Sequence, residues 1–363
     1  MQRYLALDAF RGLTIALMIL VITPGSWSHV YPPLLHAEWH GWTPTDLVFP
    51  FFMFIIGVAM YFSFSKQNFQ LNTVSIIKIL RRSLIIFLLG LALNAFPTYE
   101  SFDSLRIMSV LGRIGLAYAL AAILVLLLKP TGIRILSIIL LVAYWLILQS
   151  VGDGAYTLET NLVRQVDLML LGEGHMWQGK GIPFDPEGIL STLPSLVSIF
   201  IGFEVGRLVA TSSEKSQVVK YLLIWGVAAF ALGYLWSIVM PINKYLWTSS
   251  YVLVTSAVAL WVLALFIWFV DIQGYHASVR PLVVYGMNPL FIYVFAAVWT
   301  DCYRLVDMSL PSGGTGMLRE WLFQHMSHIF TPINASLVYA LIHVFIFWLV
   351  CLFLYRKNIV IKI

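Results

Sequence analysis

The chain has 363 residues, of which 60% are hydrophobic and only 11% charged, with a mean hydropathy of +0.87. Soluble domains carry about 25% charged residues, so this composition excludes a soluble globular protein and implies a chain that crosses a membrane many times. The net charge of +5 reflects topology, because no basic stripe with interleaved aromatics marks a nucleic-acid surface.

Apolar runs long enough to cross a bilayer as helices, about 17–25 residues each, recur along the whole chain. They lack the alternating period of an outer-membrane barrel. We place ten spans, at roughly 8–26, 47–65, 79–96, 107–128, 133–151, 189–209, 219–240, 248–270, 282–300 and 333–355. The expected fold is all-α, a polytopic membrane helical bundle forming a single domain over 1–363. Ten crossings put both termini on one side. Among the 22 basic residues, Arg106, Arg164, Lys180, Lys244, Arg304 and Arg319 fall in the opposite loops, Arg113 lies within a span, and fifteen, from Arg3 to Lys362, lie on the terminal side. By the positive-inside rule both termini are cytoplasmic.

The first span carries Asp8 and Arg11 near its start and is followed by no small-residue cleavage site. It reads as a retained helix and not as a removed signal peptide. Between the first two spans lies His36-Ala37-Glu38-Trp39-His40-Gly41-Trp42-Thr43-Pro44-Thr45-Asp46. An imidazole and two carboxylates at the lip of a membrane helix are costly to hold there and tend to mark a site. Histidine is the usual general base near neutral pH, and Asp46 or Glu38 within reach would orient it. Thr45 or Asp46 equally reads as the cap of a helix beginning near Leu47, behind Pro44.

In the fourth span, Arg113 sits in Leu111-Gly112-Arg113-Ile114-Gly115, about 9 Å inside the outer end at 1.5 Å per residue. It needs a partner, with Asp46, Glu187 or a bound anion as candidates. The longest outer segment, 152–188, is rich in glycine; long ordered loops are often functional. It ends in Phe184-Asp185-Pro186-Glu187-Gly188, which places two carboxylates where the positive end of the next helix dipole would favour them. In Pro241-Ile242-Asn243-Lys244-Tyr245-Leu246-Trp247, Lys244 is a lone basic residue in a tight outer turn, against the positive-inside bias. Asn288-Pro289 should kink the ninth span and free a carbonyl, for packing or for ligand. Ser312-Gly313-Gly314-Thr315-Gly316 reads as a flexible outer loop and not a phosphate-binding loop. His325 and His328 lack an acidic or cysteine ligand set at zinc spacing, so no metal is assigned. Cys302 and Cys351 lie near opposite ends of the bundle and should not pair.

The set Leu7-Asp8-Ala9-Phe10-Arg11-Gly12, His36-Ala37-Glu38-Trp39 with Thr45-Asp46-Leu47-Val48-Phe49-Pro50, Leu111-Gly112-Arg113-Ile114, Phe184-Asp185-Pro186-Glu187-Gly188, Pro241-Ile242-Asn243-Lys244 with Leu246-Trp247, and Gly286-Met287-Asn288 resembles the heparan-α-glucosaminide N-acetyltransferase family. The likeness runs in order from about residue 5 to residue 300. It implies a bacterial member without the additional N-terminal luminal region, a homodimer, and a reaction that moves acetyl from acetyl-CoA to the 2-amino group of a glucosamine-type sugar. The family's active-site histidine falls on His36. The donor's acetyl group would face the outer side and its nucleotide the cytoplasm. Where family members often carry an asparagine shortly before the histidine loop, this chain has Ile22-Thr23-Pro24-Gly25, so Thr23 or a backbone N–H must take over any oxyanion contact.

Together these readings make His36 the general base or transient acetyl carrier, with Asp46 or Glu38 raising its basicity. Arg113 and Lys244 would hold donor or acceptor oxygens, and Trp39, Trp42 and Trp247 would stack a sugar. Asp185, Glu187, Asn243, Asn288 and Arg11 complete the expected binding set. A competing class uses the same groups for recognition alone, as a transporter or binding protein for amino sugars or cell-wall fragments. A scaffold subunit without chemistry is the third.

Overall fold

A computed structural model describes residues 4–361; Arg3 and Lys362, counted among the basic residues above, lie outside the described residues. Helix α1 (Leu5–Ile22) stops four residues before the expected edge, because Pro24 and Gly25 cannot continue it. A 3-10 turn over Pro44–Leu47 leads into α2 (Val48–Ser65). Helix α3 (Thr73–Ala95) is capped by Asn72, whose Oδ1 accepts from the Ser75 N–H at 2.9 Å. Helices α4 (Val110–Leu127) and α5 (Pro130–Gln149) follow. A short α6 (Leu162–Leu171) precedes α7 (Thr192–Thr211), α8 (Lys215–Trp236) and α9 (Ser249–Phe266), which runs on as a π-helical turn to Ile272. The remaining helices are α10 (Arg280–Gly286), α11 (Pro289–Cys302), α12 (Leu318–Ser327) and α13 (Pro332–Arg356).

Every expected span is helical. Among the described residues, eight spans are unbroken and apolar enough to cross a bilayer, and the α10–α11 pair makes up to nine. That pair is bent by 80° at Met287-Asn288, because Pro289 has no N–H to continue the ladder. Helix α3 is the tenth expected crossing. It is set apart by Lys78, Arg81 and Arg82 in its first half. The outer faces of α5, α8 and α13 expose Leu146, Val227 and Phe353 by 56–60%. Such faces fit hydrocarbon as solvent; the chain is a multi-pass membrane protein.

Helices α2 and α7 form the spine. A Cβ on Gly57 would strike the Ile199 carbonyl, and one on Gly202 would strike the Phe54 carbonyl. Small residues at such crossings let backbones touch, which is how helices pack when no hydrophobic drive separates them from lipid.

Two elements depart from expectation. The 152–188 segment contains α6, begun by Asn161 accepting the Arg164 N–H at 2.8 Å and ended by Gly172 at φ 82°. Ser312–Gly316 is not a free loop. It closes an antiparallel hairpin of β1 (Asp307–Ser309) and β2 (Thr315–Met317), with Gly313 and Gly314 at positive φ in the turn. Both cysteines are free thiols.

Candidate active site

The loop before α2 and the turn before α9 are knitted together around His36. Gly41 N–H donates to the Ile242 carbonyl at 2.8 Å, and the Tyr251 hydroxyl reaches the Asp46 carbonyl at 2.5 Å. His36 Nδ1 lies 2.7 Å from Asp46 Oδ1. A carboxylate only accepts, so Nδ1 carries the proton and Nε2 presents its lone pair. Asp46 is fully buried. Its other oxygen accepts the N–H groups of Ala37 at 3.1 Å and Thr43 at 2.9 Å, and the Thr43 hydroxyl at 3.2 Å. One carboxylate therefore closes the helix entry and orients the histidine, so the two readings of Asp46 coexist. Glu38 is exposed and does neither; its backbone carbonyl accepts from Lys180 Nζ at 2.5 Å.

Lys244 faces the same imidazole, with Nζ 2.9 Å from Nδ1, 3.1 Å from Nε2 and 3.5 Å from Asp46 Oδ1. Asn243 sets the turn that presents it. The fully buried Asn243 side chain accepts the Leu246 N–H at 2.8 Å, while Thr248 N–H donates to the Asn243 carbonyl at 3.1 Å. Trp247 adopts φ 51° to close the turn, and the Tyr144 hydroxyl holds the Leu246 carbonyl at 2.5 Å. Burial lowers the pKa of the Lys244 ammonium below the ordinary lysine value, although Asp46 and Glu187 work in the other direction.

His36, Lys244 and Glu187 line one end of a cavity of about 280 Å³ whose walls are otherwise largely apolar, among them Phe52, Ile56, Ile114, Pro289 and Leu290. A second cavity of about 260 Å³ shares Phe52, Ile56, Arg82, Ile114 and Pro289 with it. A third, of about 440 Å³, shares Ser63, Phe64, Arg82 and Tyr118 with the second and is lined by Lys78 and Arg81. The row follows α2 from Val48 to Ser63, a rise of about 23 Å at 1.5 Å per residue. The lining runs from a histidine–carboxylate–lysine group at one end to Lys78 and Arg81 at the other, and Arg82 lines all three cavities.

The remaining expected residues take other places. Among the described residues Arg113 forms no contact ion pair with a carboxylate; Nη2 donates to the Gly188 carbonyl at 3.2 Å and to Ser191 Oγ, and the guanidinium lies 4.9 Å from the Trp247 ring and 5.9 Å from Phe49. Its Nε and Nη1 are buried without a hydrogen-bond partner. Trp247 is 1% exposed and serves as that cation's platform, so it offers no open face to a sugar. Trp39 stacks on Tyr245 at 5.4 Å and donates to the Tyr156 carbonyl at 2.7 Å, and Trp42 donates to the Tyr234 hydroxyl at 3.1 Å. The Asn288 side chain binds the backbone of Ile359 and Ile361, at 3.0 and 2.8 Å. Arg11, paired with Asp8 at 3.0 Å, lines the second cavity, away from His36. Thr23 lies outside the cavity wall, its hydroxyl donated to Ile19 at 2.7 Å.

Asp185 and Glu187 do not sit in the first turn of α7, which begins at Thr192. They are held by Arg106, from the loop before α4. Its Nε and Nη2 grip Asp185 at 2.9 and 2.8 Å, and Nη2 reaches Glu187 at 2.5 Å. Burial opposes the charge, but the two carboxylates outweigh it and raise the Arg106 pKa above its ordinary value. Two acids flanking a proline, one of them fully buried, require such a cation; that was the available signal. Beneath the same loop, Asp167 of α6 accepts the Ile189 N–H at 2.9 Å, and burial pushes its carboxyl up to about 7. Among the described residues no group of three or more His, Cys, Asp or Glu could hold a metal.

Residues 3–232 match the model of the family described as heparan-alpha-glucosaminide N-acetyltransferase, catalytic. The chain belongs to this family. The matched stretch contains His36, Asp46, Arg106, Arg113, Asp185 and Glu187. The human heparan-alpha-glucosaminide N-acetyltransferase is 27% identical over 433 aligned positions, covering 99% of this chain and 60% of that protein. The mouse protein of the same name is 28% identical over 357, covering 81% of this chain and 53% of its own length. This member of the N-acetyltransferase family thus spans little more than half the length of the curated relatives it matches.

Proposed function

We propose that the protein is a membrane N-acetyltransferase that carries acetyl from acetyl-CoA to the amino group of a glucosamine-type sugar at the extracytoplasmic face of a bacterial inner membrane. The observation that carries this reading is the row of cavities from the basic mouth at Lys78, Arg81 and Arg82 to His36. A CoA thioester has matching parts: a phosphate-bearing nucleotide for the basic end, a long thin arm for the apolar stretch, and a reactive carbonyl for the histidine end.

At that end an amine can attack the thioester only after losing a proton. His36 Nε2 would take it, with Nδ1–H directed at Asp46, which favours the imidazolium that results. The charged form of Lys244 would donate to the carbonyl oxygen as negative charge develops there. The nitrogen–carbon bond forms, the carbon–sulfur bond breaks, the proton held by His36 leaves with the thiolate, and the second nitrogen proton passes to solvent as the amide forms. Glu187, at the cavity wall, would meet the sugar's polar groups. The test is acetyl transfer to glucosamine by the purified protein supplied with acetyl-CoA; a protein that leaves both reactants unchanged overturns the reading.

The row of cavities also favours a second reading, a transporter for amino sugars or cell-wall fragments. Such a protein would move the sugar unmodified, and its transport would be indifferent to acetyl-CoA.

A further inference from the structure

The acceptor of this reaction is a primary amine that must sit within hydrogen-bond reach of His36 and within bonding reach of the thioester carbon. The resting site already holds a primary amine within hydrogen-bond reach of His36. Lys244 Nζ is 2.9 and 3.1 Å from the two ring nitrogens of His36, and Lys244 and His36 line the same end of the cavity. We propose that Lys244 is a built-in competitor for the acetyl group and becomes acetylated on its own Nζ when the donor is bound and no acceptor is present. The inference rests on the acetyltransferase reading and adds a modification site to it.

Three features make this lysine reactive where others are not. It is largely buried, so water does not stabilise its charge, and its basicity is lowered accordingly. A base is already in contact with it, and that base is oriented by a buried carboxylate. Its approach is fixed by the Asn243 turn, so little freedom is lost on reaching the carbonyl. The chemistry balances without any further reagent. His36 removes a proton from the ammonium, the freed lone pair attacks the carbonyl carbon, and the carbon–sulfur bond breaks. CoA leaves as its thiol with that proton, the second proton lost from the nitrogen passes to solvent, and Lys244 keeps the acetyl group as an amide. Unlike an acetyl-imidazole, that amide does not pass its acetyl group onward. It also removes the cation proposed to face the oxyanion, so each event retires one site. An acceptor sugar that displaces Nζ from His36 protects the enzyme by occupying the lysine's place.

The experiment incubates the purified protein with acetyl-CoA bearing an isotopically labelled acetyl group, with and without saturating glucosamine, and maps the label by peptide mass spectrometry. The expected result is hydroxylamine-resistant label at Lys244 without glucosamine, falling several-fold when the sugar is present. In a folded His36→Gln variant, confirmed by thermal unfolding, labelling should slow by on the order of 10²-fold, the usual contribution of a general base. Label on the sugar but none on Lys244 overturns this proposal and leaves the acetyltransferase intact. Label spread equally over exposed lysines such as Lys66 and Lys357 also overturns it, because the reaction is then non-enzymatic. Label on neither protein nor sugar overturns the acetyltransferase reading itself, and this proposal with it.

Discussion

The fully buried Asp46 carboxylate divides its two oxygens, one 2.7 Å from His36 Nδ1 and the other on the backbone N–H groups of Ala37 and Thr43. Orientation of the His36 ring and closure of the α2 entry are thereby one structural event. Removing His36 should leave that event largely in place and abolish only the proton transfer. We expect His36→Ala to lose 10²–10⁴-fold in acetyl transfer, about the worth of a general base, with little change in thermal unfolding. Steady-state transfer to glucosamine checks the rate, and full turnover would sink the assignment.

Asp46→Asn should damage both functions. An amide cannot accept from His36, Ala37 and Thr43 at once, because either rotamer turns an NH₂ toward a donor. The conflict costs about 1–3 kcal/mol, read as a lower unfolding temperature together with a reduced rate. A variant with wild-type stability would show that the Asp46 contacts carry no weight.

Arg106 gives a third prediction. Arg106→Met strands Asp185, which has no exposed surface, and Glu187, at 7%. Breaking a buried pair by deleting one partner costs about 3–5 kcal/mol. Arg106→Lys should rescue only part of it, since an ammonium cannot reproduce the two-pronged grip. Thermal unfolding of the three proteins in one detergent decides the order.

At the opposite mouth, Lys78→Gln combined with Arg81→Gln should raise the KM for acetyl-CoA with kcat unchanged, because these residues would hold the nucleotide in ground and transition state alike. Salt should raise the wild-type KM toward that of the variant. A fall in kcat alone would remove the nucleotide from this mouth.

Asp167 governs a pH dependence of stability. Its carboxyl is pushed up to about 7 from an ordinary 3.8, so between those values the folded chain holds a proton that the unfolded chain has released. Stability from this group is complete below about pH 4, declines as pH rises toward 7, and stays low above. Asp167→Asn keeps an acceptor for the Ile189 N–H and should flatten the decline, giving a higher unfolding temperature than wild type at pH 8. Parallel pH profiles for the two proteins would exclude Asp167 as the source.

Much of this was legible in the chain itself. The helices follow from uninterrupted apolar runs, and the break at Asn288-Pro289 from a missing N–H. His36 and Asp46 are ten residues apart in one loop, so their pairing is nearly local. What escaped depends on distant partners. Arg106 meets its acids across about 80 positions, and Trp247 carries a guanidinium and no sugar because the turn at 241–248 points its ring inward. Helix α6 is ten residues long and broken by Arg164, Gln165 and Asp167, and its signal is a cap at each end and no long hydrophobic run.

The contact between Gly57 and Ile199 and between Gly202 and Phe54 determines which wall of the passage can move. Backbones in direct contact cannot slide or part without either a clash or a void, so α2 and α7 behave as one body. Helix α2 forms much of one side of the passage and carries the entry that holds Asp46. Widening of these cavities would therefore be easier on the facing side, where α11 starts at the 80° break beside Asn288. The 2.7 Å contact between His36 and Asp46 would be kept through any such movement.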